Sequence, residues 1–240
     1  MATDEGAALG LLWNQDKQPA RRARPALNLE LIARTAIEIA DADGIEALSM
    51  QRVAGDLGFT KMSLYRHVAG KAELMAVMID TAVGEPPVLS GVPGGWRPKI
   101  QEFTRLLTAT WDRHPWLPTV TTGNRVMGPN EIGWIDSAIS AFADTNLMGG
   151  ERMAAVFLLF AHIRNTQSTA AAGTQPWTTE GSVAGTIGDL IVEHSARFPE
   201  LNRAMADVGD RLDDNGRRFG LDCIFDGIAG LIERRSSDDR

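Results

Sequence analysis

The sequence is poor in cysteine and aromatic side chains, and it contains no long apolar run. Its one cysteine, Cys223, excludes an internal disulfide and a zinc site built from several cysteine ligands. No apolar stretch approaches the roughly 18 residues of a transmembrane helix. Residues 9–13 are apolar, but Asp4 and Glu5 precede them where a secretory signal carries positive charge. We therefore expect a soluble protein of the cytoplasm.

Signatures of catalysis and of cofactor binding are also missing. The chain has no Gly-x-Ser-x-Gly elbow, no His-Glu-x-x-His helix and neither of the glycine-rich loops that bind dinucleotides or nucleoside triphosphates. Its four histidines are scattered, so that no two of them share the helical spacing of metal ligands. We expect no enzyme activity, no cofactor and no metal site. A hydrolase stays open as an alternative.

Acidic residues outnumber basic ones overall, but the two signs are unevenly distributed. The net charge is −7, whereas residues 17–71 contain nine Lys or Arg against six Asp or Glu. Screening at physiological salt reduces the field over about 8–10 Å, so only nearby charges act on a phosphate. The local positive excess therefore permits a nucleic-acid partner that the total charge alone argues against.

Helical periodicity and the lack of strand alternation predict an all-α fold. Residues 1–26 have no periodicity and are interpreted as a flexible basic arm. Residues 27–83 contain three helices and a fourth that leads out of them. A segment rich in Pro and Gly, 84–96, follows and predicts a domain boundary. Later helices are predicted at 96–113, 129–145, 150–171, 180–197 and 214–234. The Pro and Gly residues between them, Pro199 among them, are interpreted as helix breakers.

A helix-turn-helix is indicated by the residues around the second and third helices. Asn28, Ser49 and Thr60 stand where N-caps are expected. Ala54 permits a close helix crossing, and Gly58 permits the left-handed backbone of a sharp turn. The third helix is expected to end near Val68. Its inner residues are Phe59, Leu64 and Val68, and its outer residues are Lys61, Ser63, Tyr65 and Arg66, whose side chains suit phosphates and base edges.

The stretch LSMQRVAGDLGFTKMSLYRHVAGKAEL, residues 48–74, resembles the DNA-binding domain of TetR (tetracycline repressor-like) family regulators. The signature of that family is matched by Leu64, Tyr65, His67, Lys71 and Leu74. Residues beyond 96 are similar to the regulatory domain of an actinobacterial-type branch of the family. The resemblance therefore covers both the helix-turn-helix and the larger region that follows it.

The resemblance implies that residues of the second, third and fourth helices contact DNA. These are Ser49, Gln51, Arg52, Thr60, Lys61, Ser63, Tyr65, Arg66, His67 and Lys71. Met62 departs from the family pattern at a position that is often a small residue or proline, which leaves the base preference there open. Arg21, Arg22 and Arg24 of the arm are candidates for the minor groove. A solvated helix face is the alternative interpretation of the basic cluster.

The resemblance also implies a homodimer and a helical ligand-binding domain at 96–234, with a polar tail at 235–240. The helices near 180–197 and 214–234 would pair with those of a second copy, and the others would enclose a small, largely apolar effector. Candidate effector-binding residues are Trp111, His114, Trp116, Asn124, Arg125, Trp134, Phe157, Phe160, His162, Asn165, Thr166 and Trp177. Satisfied core or interface side chains are the alternative for these residues.

The sequence thus predicts a ligand-responsive transcriptional regulator, with repression the expected mode. Two recognition helices of a dimer would enter successive major grooves of a near-palindromic operator, about 34 Å apart. An effector bound in the larger domain would displace the fourth helix and change that separation. An adaptor that keeps the fold for dimerisation alone is the remaining alternative.

Overall fold

The computed structural model describes residues 9–13, 27–167, 182–208 and 216–238, and the regular structure within these ranges is helical. This confirms the predicted all-α fold. The α-helices in chain order are α1 (Leu29–Asp43), α2 (Met50–Asp56), α3 (Lys61–Leu64), α4 (Lys71–Val83), α5 (Trp96–Arg113), α6 (Leu117–Val120), α7 (Pro129–Ser140), α8 (Gly149–Gln167), α9 (Ser182–Glu193), α10 (Pro199–Val208) and α11 (Arg217–Asp238).

Short polar side chains begin the first three helices, as predicted. The Asn28 carboxamide oxygen accepts the Leu31 backbone N–H at 2.7 Å. The hydroxyl of Ser49 accepts the N–H of Arg52 at 3.1 Å. Each of these bonds satisfies one of the N–H groups that have no partner within the first helical turn. The turn between α2 and α3 passes through Gly58, whose φ of 70° lies in the left-handed region.

Helix α3 is shorter than expected, because regular α-helix ends at Leu64. The next residues continue as a tighter turn, in which the His67 and Val68 N–H groups both bond to the Leu64 carbonyl oxygen, at 2.8 and 3.0 Å. The predicted end near Val68 was therefore wrong for the α-helix itself. Apolar periodicity did not reveal the change from an α-helix to a turn, because Leu64 and Val68 are both buried.

The first four helices pack through their apolar faces. Helix α1 contributes Ile32 and Ala36, and α4 contributes Leu74 and Met78, all fully buried. Burying a Leu, Ile or Met side chain contributes about 1.5–3 kcal/mol. Leu64 anchors α3 in the same way, whereas Phe59, expected to face inward, is 39% exposed. The inward prediction was wrong for Phe59, which precedes the N-cap of α3 rather than lying within the helix.

Part of the predicted N-terminal arm is helical. Residues 9–13 form a short helical segment. Its Leu12 is 2% exposed and packs in a cluster with Ala33 of α1 and with Ala76 and Val77 of α4. Arg21, Arg22 and Arg24 lie outside the described residues. Leu12 near the chain start is thus part of the core that α1 and α4 form, whereas Leu9 and Trp13 are exposed.

The chain divides into two compact units, one ending at Thr145 and the other beginning at Asn146. The first contains α1 to α7 and therefore includes the Pro- and Gly-rich segment 84–96 within it. The functional boundary predicted at that segment stays a prediction. Among the described residues, no helix is long and apolar enough to cross a membrane.

Helix α4 is joined to α7 by a buried carboxylate. Asp80 Oδ1 accepts the Glu131 backbone N–H at 3.1 Å, and the Asp80 carbonyl oxygen accepts a bond from the Asn130 carboxamide at 3.0 Å. A Cβ placed on Gly128 would lie 2.2 Å from the Asp80 carboxyl carbon. Only glycine therefore permits this approach of the carboxylate to the start of α7.

The second unit contains α8 to α11, of which α8 and α11 pack against each other. His162 of α8 accounts for one point of close contact, since its Nε2 lies 2.9 Å from the Arg217 carbonyl oxygen. A Cβ on Gly220 would lie 2.1 Å from the same imidazole ring. At the other end, Arg235 of α11 forms an ion pair with Glu151 of α8.

Helix α10 was not predicted, because Pro199 was interpreted as a breaker. The structure places Pro199 at the first position of that helix. Proline is favourable there, since its missing N–H would have no helical partner in any case. The neighbouring helix α9 lies within the range predicted for it, whereas α11 continues to Asp238. The predicted polar tail at 235–240 was therefore wrong for residues 235–238, which are helical.

Candidate DNA-binding surface and effector site

Helix α3 and its following turn present polar and basic side chains to solvent. Leu64 fixes the helix from within, while Lys61, Tyr65 and Arg66 are exposed. The Lys61 ammonium lies 5.7 Å from the centroid of the Tyr65 ring, within the range of a cation–π contact. Met62 is 71% exposed beside them. The surface thus combines two cations, a phenol and one apolar side chain.

The start of α3 is held by hydroxyl groups. Thr60 Oγ1 accepts the Ser63 backbone N–H at 3.3 Å and lies 2.9 Å from the Ser63 hydroxyl oxygen. The two side chains thereby fix each other at the first turn. Since Thr60 is exposed and Ser63 half-buried, both hydroxyls lie near the surface that Lys61 and Tyr65 form.

The second part of the predicted surface is the start of α2. Ser49 caps the helix and Gln51 is exposed. Arg52 is half-buried, forms an ion pair with Asp43 of α1 and lies 3.9 Å from a carboxylate oxygen of Asp56. Of these three predicted DNA contacts, Arg52 is the one whose charge has partners within the protein.

Two further predicted contacts lie just beyond α3. His67 is half-buried, and Lys71 is exposed at the first position of α4. The Glu73 carboxylate accepts the Ala69 backbone N–H at 2.5 Å and so fixes the loop between them. From Leu57 to Ala72 the chain carries three Lys or Arg and no carboxylate. The sequence around α3 is therefore locally basic in an acidic protein.

Three predicted effector residues belong to the core around the end of α5. Trp111, His114 and Trp116 are all buried. The Trp116 indole N–H donates to Asp41 Oδ1 at 2.7 Å, and His114 Nδ1 lies 2.9 Å from the same oxygen. Asp41 stands in the last turn of α1. The structure thus brings His114 and Trp116 together around a carboxylate of α1.

Three others surround the start of α7. Arg125 forms two bonds to the Glu131 carboxylate, at 2.8 and 2.5 Å. Trp134 is buried and donates its indole N–H to the Gly84 carbonyl oxygen at 3.1 Å, whereas Asn124 is exposed. Arg125 and Trp134 therefore have partners inside the first unit.

The remaining candidates belong to α8, except for one. Phe157 and Asn165 are exposed, Phe160 is half-buried and Thr166 is buried. The Thr166 hydroxyl donates to the His162 carbonyl oxygen at 3.0 Å. Trp177 lies outside the described residues. Effector binding by all these side chains stays a prediction.

Sequence reasoning did not single out Asp41, Asp80 or Glu131, although each joins separate helices or stabilises a helix start. Asp80 had one signal, since it stands three residues after Val77 and so falls on the apolar face of α4. Burial is the main cause that raises the pKa of the Asp80 carboxyl. Its hydrogen bond from the Glu131 backbone N–H lowers this pKa, the nearby Glu131 carboxylate raises it, and the Asn130 backbone N–H lowers it. Burial at this site thus disfavours the charged form of the Asp80 carboxyl relative to the protonated form.

The described residues contain no group of three or more His, Cys, Asp or Glu arranged to hold a metal ion.

Capped α2, the turn at Gly58 and α3 with its basic outer face together form a helix-turn-helix. This places the chain among DNA-binding proteins of that class.

Comparison with known proteins identifies the family. Residues 91–232 match the family described as Tetracyclin repressor-like, C-terminal domain. The HTH-type transcriptional repressor DrrR1 of Streptomyces coeruleorubidus is 31% identical, with 98% of this chain and 89% of DrrR1 aligned. An HTH-type transcriptional regulator of Saccharopolyspora erythraea is 28% identical, with 87% of each chain aligned. The chain belongs to the TetR family of transcriptional regulators.

Solved structures have the same fold. ActR of Streptomyces coelicolor in complex with actinorhodin superposes with a TM-score of 0.73 at 24% identity, covering 87% of this chain and 98% of ActR. BioQ in complex with its double-stranded DNA operator gives a TM-score of 0.53 at 19% identity, covering 71% of this chain and 99% of BioQ.

The raised pKa of Asp80 predicts how stability depends on pH. A carboxyl whose folded pKa exceeds its unfolded value contributes stability below the unfolded pKa and loses it as pH rises through the folded pKa. Asp80→Asn keeps an oxygen for the Glu131 N–H and removes the charge. We expect its unfolding free energy, relative to wild type, to increase as pH rises above 3.8. Urea unfolding at several pH values measures this.

Asp136→Asn is the matched control, because Asp136 is an exposed carboxyl on α7, the helix whose start Asp80 of α4 contacts. As pH rises, the free energy of unfolding relative to wild type should increase more for Asp80→Asn than for Asp136→Asn. A relative loss of stability for Asp80→Asn as pH rises would contradict the explanation by burial.

Proposed function

We propose that this protein is a repressor that binds a near-palindromic operator as a homodimer and is released by a small, largely apolar effector. The observation that carries the proposal is the capped helix α3, whose exposed Lys61, Tyr65 and Arg66 lie in a stretch without carboxylates. The family supports a regulatory role, and the named repressor DrrR1 supports the direction of regulation. The proposal assigns no catalysis.

DNA binding by an acidic chain requires that the contact surface be locally positive. Lys61 and Arg66 are exposed in the stretch from Leu57 to Ala72 that has no carboxylate, and Lys71 is exposed at its end, two residues before the buried Glu73. Each phosphate that such a residue neutralises releases counterions and steepens the salt dependence of affinity. Tyr65 and Ser63 add hydroxyls that bond to phosphates or base edges. Base contacts by this set would supply the sequence preference.

The dimer is proposed to form through α8 and α11. These helices pack on each other, whereas α9 packs with α10. Helix α8 exposes Met153, Phe157 and Leu158, and α11 exposes Phe219. Met153 and Phe157 are four residues apart, so their side chains share one helical face. Two such pairs from two protomers would make a four-helix bundle. The pairing keeps the predicted helix at 214–234. A pairing through 180–197, as expected from the sequence, is the alternative, because α9 exposes Ile187, Leu190 and Val192.

An effector of low polarity suits the residues available for it. Phe160 of α8 is half-buried and offers aromatic surface within the second unit, and binding pockets are mostly apolar with few polar groups. Solved structures of ActR contain actinorhodin or (S)-DNPA. An effector that alters the distance between two recognition helices would prevent them from entering successive major grooves, about 34 Å apart.

Operator binding is tested by fluorescence-anisotropy titration with duplex DNA from directly upstream of the protein's own gene, against a scrambled duplex. We expect nanomolar, salt-dependent binding to the first and at least about a thousandfold weaker binding to the second.

Lys61→Ala or Tyr65→Ala should weaken operator binding by about 1–3 kcal/mol. Loss of a base contact raises the free energy of the complex, while the free protein stays folded.

Arg34→Ala is the matched control, because it also removes one exposed positive charge but from α1, where Arg34 pairs with Glu30. Its effect on operator affinity should be smaller than that of Lys61→Ala. Equal losses in all three variants would contradict the assignment of α3 as the recognition helix.

The dimer is tested by Phe157→Glu, which places a charge on the exposed face of α8. Phe157 is 51% exposed in one chain, so the change leaves the monomer core intact but desolvates a carboxylate in the proposed dimer. Analytical ultracentrifugation at micromolar concentration should give a dimer for wild type and a monomer for the variant. Leu190→Glu is the control on α9. A monomer for Leu190→Glu and a dimer for Phe157→Glu would favour the interface at 180–197.

A further inference from the structure

The last turn of α1 carries two carboxylates that contact different parts of the first unit. Asp41 accepts the Trp116 indole N–H at 2.7 Å, and its two oxygens lie 2.9 and 3.0 Å from His114 Nδ1. Both partners come from the segment that joins α5 to α6. The Asp41 carboxylate therefore ties the end of α1 to the α5–α6 segment.

The second carboxylate, two residues later, contacts the helix-turn-helix. Asp43 forms an ion pair with Arg52 of α2, whose guanidinium also lies 3.9 Å from Asp56 of the same helix. Ser49, the cap of α2, directly precedes that helix, and α3 follows it after the turn at Gly58. The position of α2 thus depends on where the end of α1 lies.

Burial makes the first of these contacts costly to break. Trp116 is 5% exposed and His114 8% exposed. If the buried indole N–H of Trp116 loses its acceptor, water cannot replace the lost hydrogen bond. The Asp43–Arg52 contact is more exposed, but its bond joins two charged groups, which strengthens it relative to a neutral bond.

The two contacts form one connected route. A shift of the α5–α6 segment displaces Asp41 through its bonds to Trp116 and His114. Asp43 moves with Asp41, because both belong to the same helical turn, and Arg52 follows Asp43. Packed side chains and hydrogen bonds between rigid helices are the kind of network that carries coupling within a protein.

We propose that Asp41 and Asp43 form a junction through which the α5–α6 segment positions the first helix of the helix-turn-helix. Arg52 is then a positioning residue that holds α2 against α1, rather than a residue that contacts DNA. Trp116 and His114 are positioning residues as well, acting on α2 through Asp41. The proposal rests on the proposed function, because it concerns how this chain orients its DNA-binding helices.

The experiment uses the full chain with Trp116→Phe, which removes the indole N–H and keeps an aromatic ring, and Asp41→Ala, which removes the acceptor. Affinity for the upstream duplex is measured by anisotropy, and amide hydrogen exchange is measured for residues 50–56. We expect each variant to bind operator roughly threefold to thirtyfold more weakly than wild type. Exchange in α2 should be faster in both, although neither residue belongs to α2.

Two matched controls separate positioning from general loss of stability. Trp134→Phe also removes the N–H of a buried Trp in the first unit, but that N–H bonds to Gly84. Glu38→Ala removes an exposed carboxylate from α1, one turn before Asp41. Both should leave operator affinity within about twofold and exchange in α2 unchanged. The double variant Asp41→Ala/Trp116→Phe should lose no more affinity than the worse single variant, since Asp41→Ala already removes the contact that Trp116→Phe removes.

Asp41→Asn gives a conservative rescue, because its oxygen still accepts the Trp116 N–H. It should retain affinity closer to wild type than Asp41→Ala, and it serves in place of that variant if the latter does not fold. Unchanged affinity and unchanged α2 exchange in a destabilised Trp116→Phe protein would overturn the junction. Failure of wild type to bind any operator would instead contradict the proposed function, and α2 exchange would still test the junction.

Discussion

Carboxylates held between helices are the constraint on which the first unit depends. Asp80 of α4 bonds to the start of α7, and Asp41 of α1 accepts bonds from the α5–α6 segment. Breaking either contact leaves buried polar groups without partners, which costs more than the net gain from an ordinary hydrogen bond. The helices that carry the proposed DNA-binding residues therefore cannot move independently of those that follow them without losing these bonds.

That constraint explains why an acidic chain can be a DNA-binding regulator. Its net charge of −7 does not decide the question, because carboxylates such as Asp41, Asp43 and Asp80 serve internal contacts. The segment around α3 has no carboxylates and exposes Lys61 and Arg66. Carboxyl groups thus join the helices of the first unit, and the basic side chains lie on the surface that is proposed to contact DNA. In this account, any effector that shifts α5 to α7 acts on DNA binding through the carboxylate contacts.

Apolar periodicity and capping residues predicted most helices, because both signals are local. Pro199 was misinterpreted, since proline disrupts a helix interior but favours its first turn. Contacts between distant segments left no comparable signal: nothing near Trp116 shows that its N–H meets Asp41, 75 residues earlier. The outer face of α3 could be predicted from its pattern, whereas the internal ion pair of Arg52 could not. The contact of Leu12 with α1 and α4 left no signal either, because residues 14–26, which separate Leu12 from α1, have no helical periodicity.

The central claim is that α1 to α7 behave as one cooperative body. Native-state hydrogen exchange of the wild-type protein, measured with increasing denaturant and without DNA, tests it most directly. The account predicts that the slowest amides of α2 to α4 and those of α5 to α7 exchange through one shared opening, with the same free energy and the same denaturant dependence. A separate opening of α1 to α4, with a lower free energy and a smaller denaturant dependence, would contradict it.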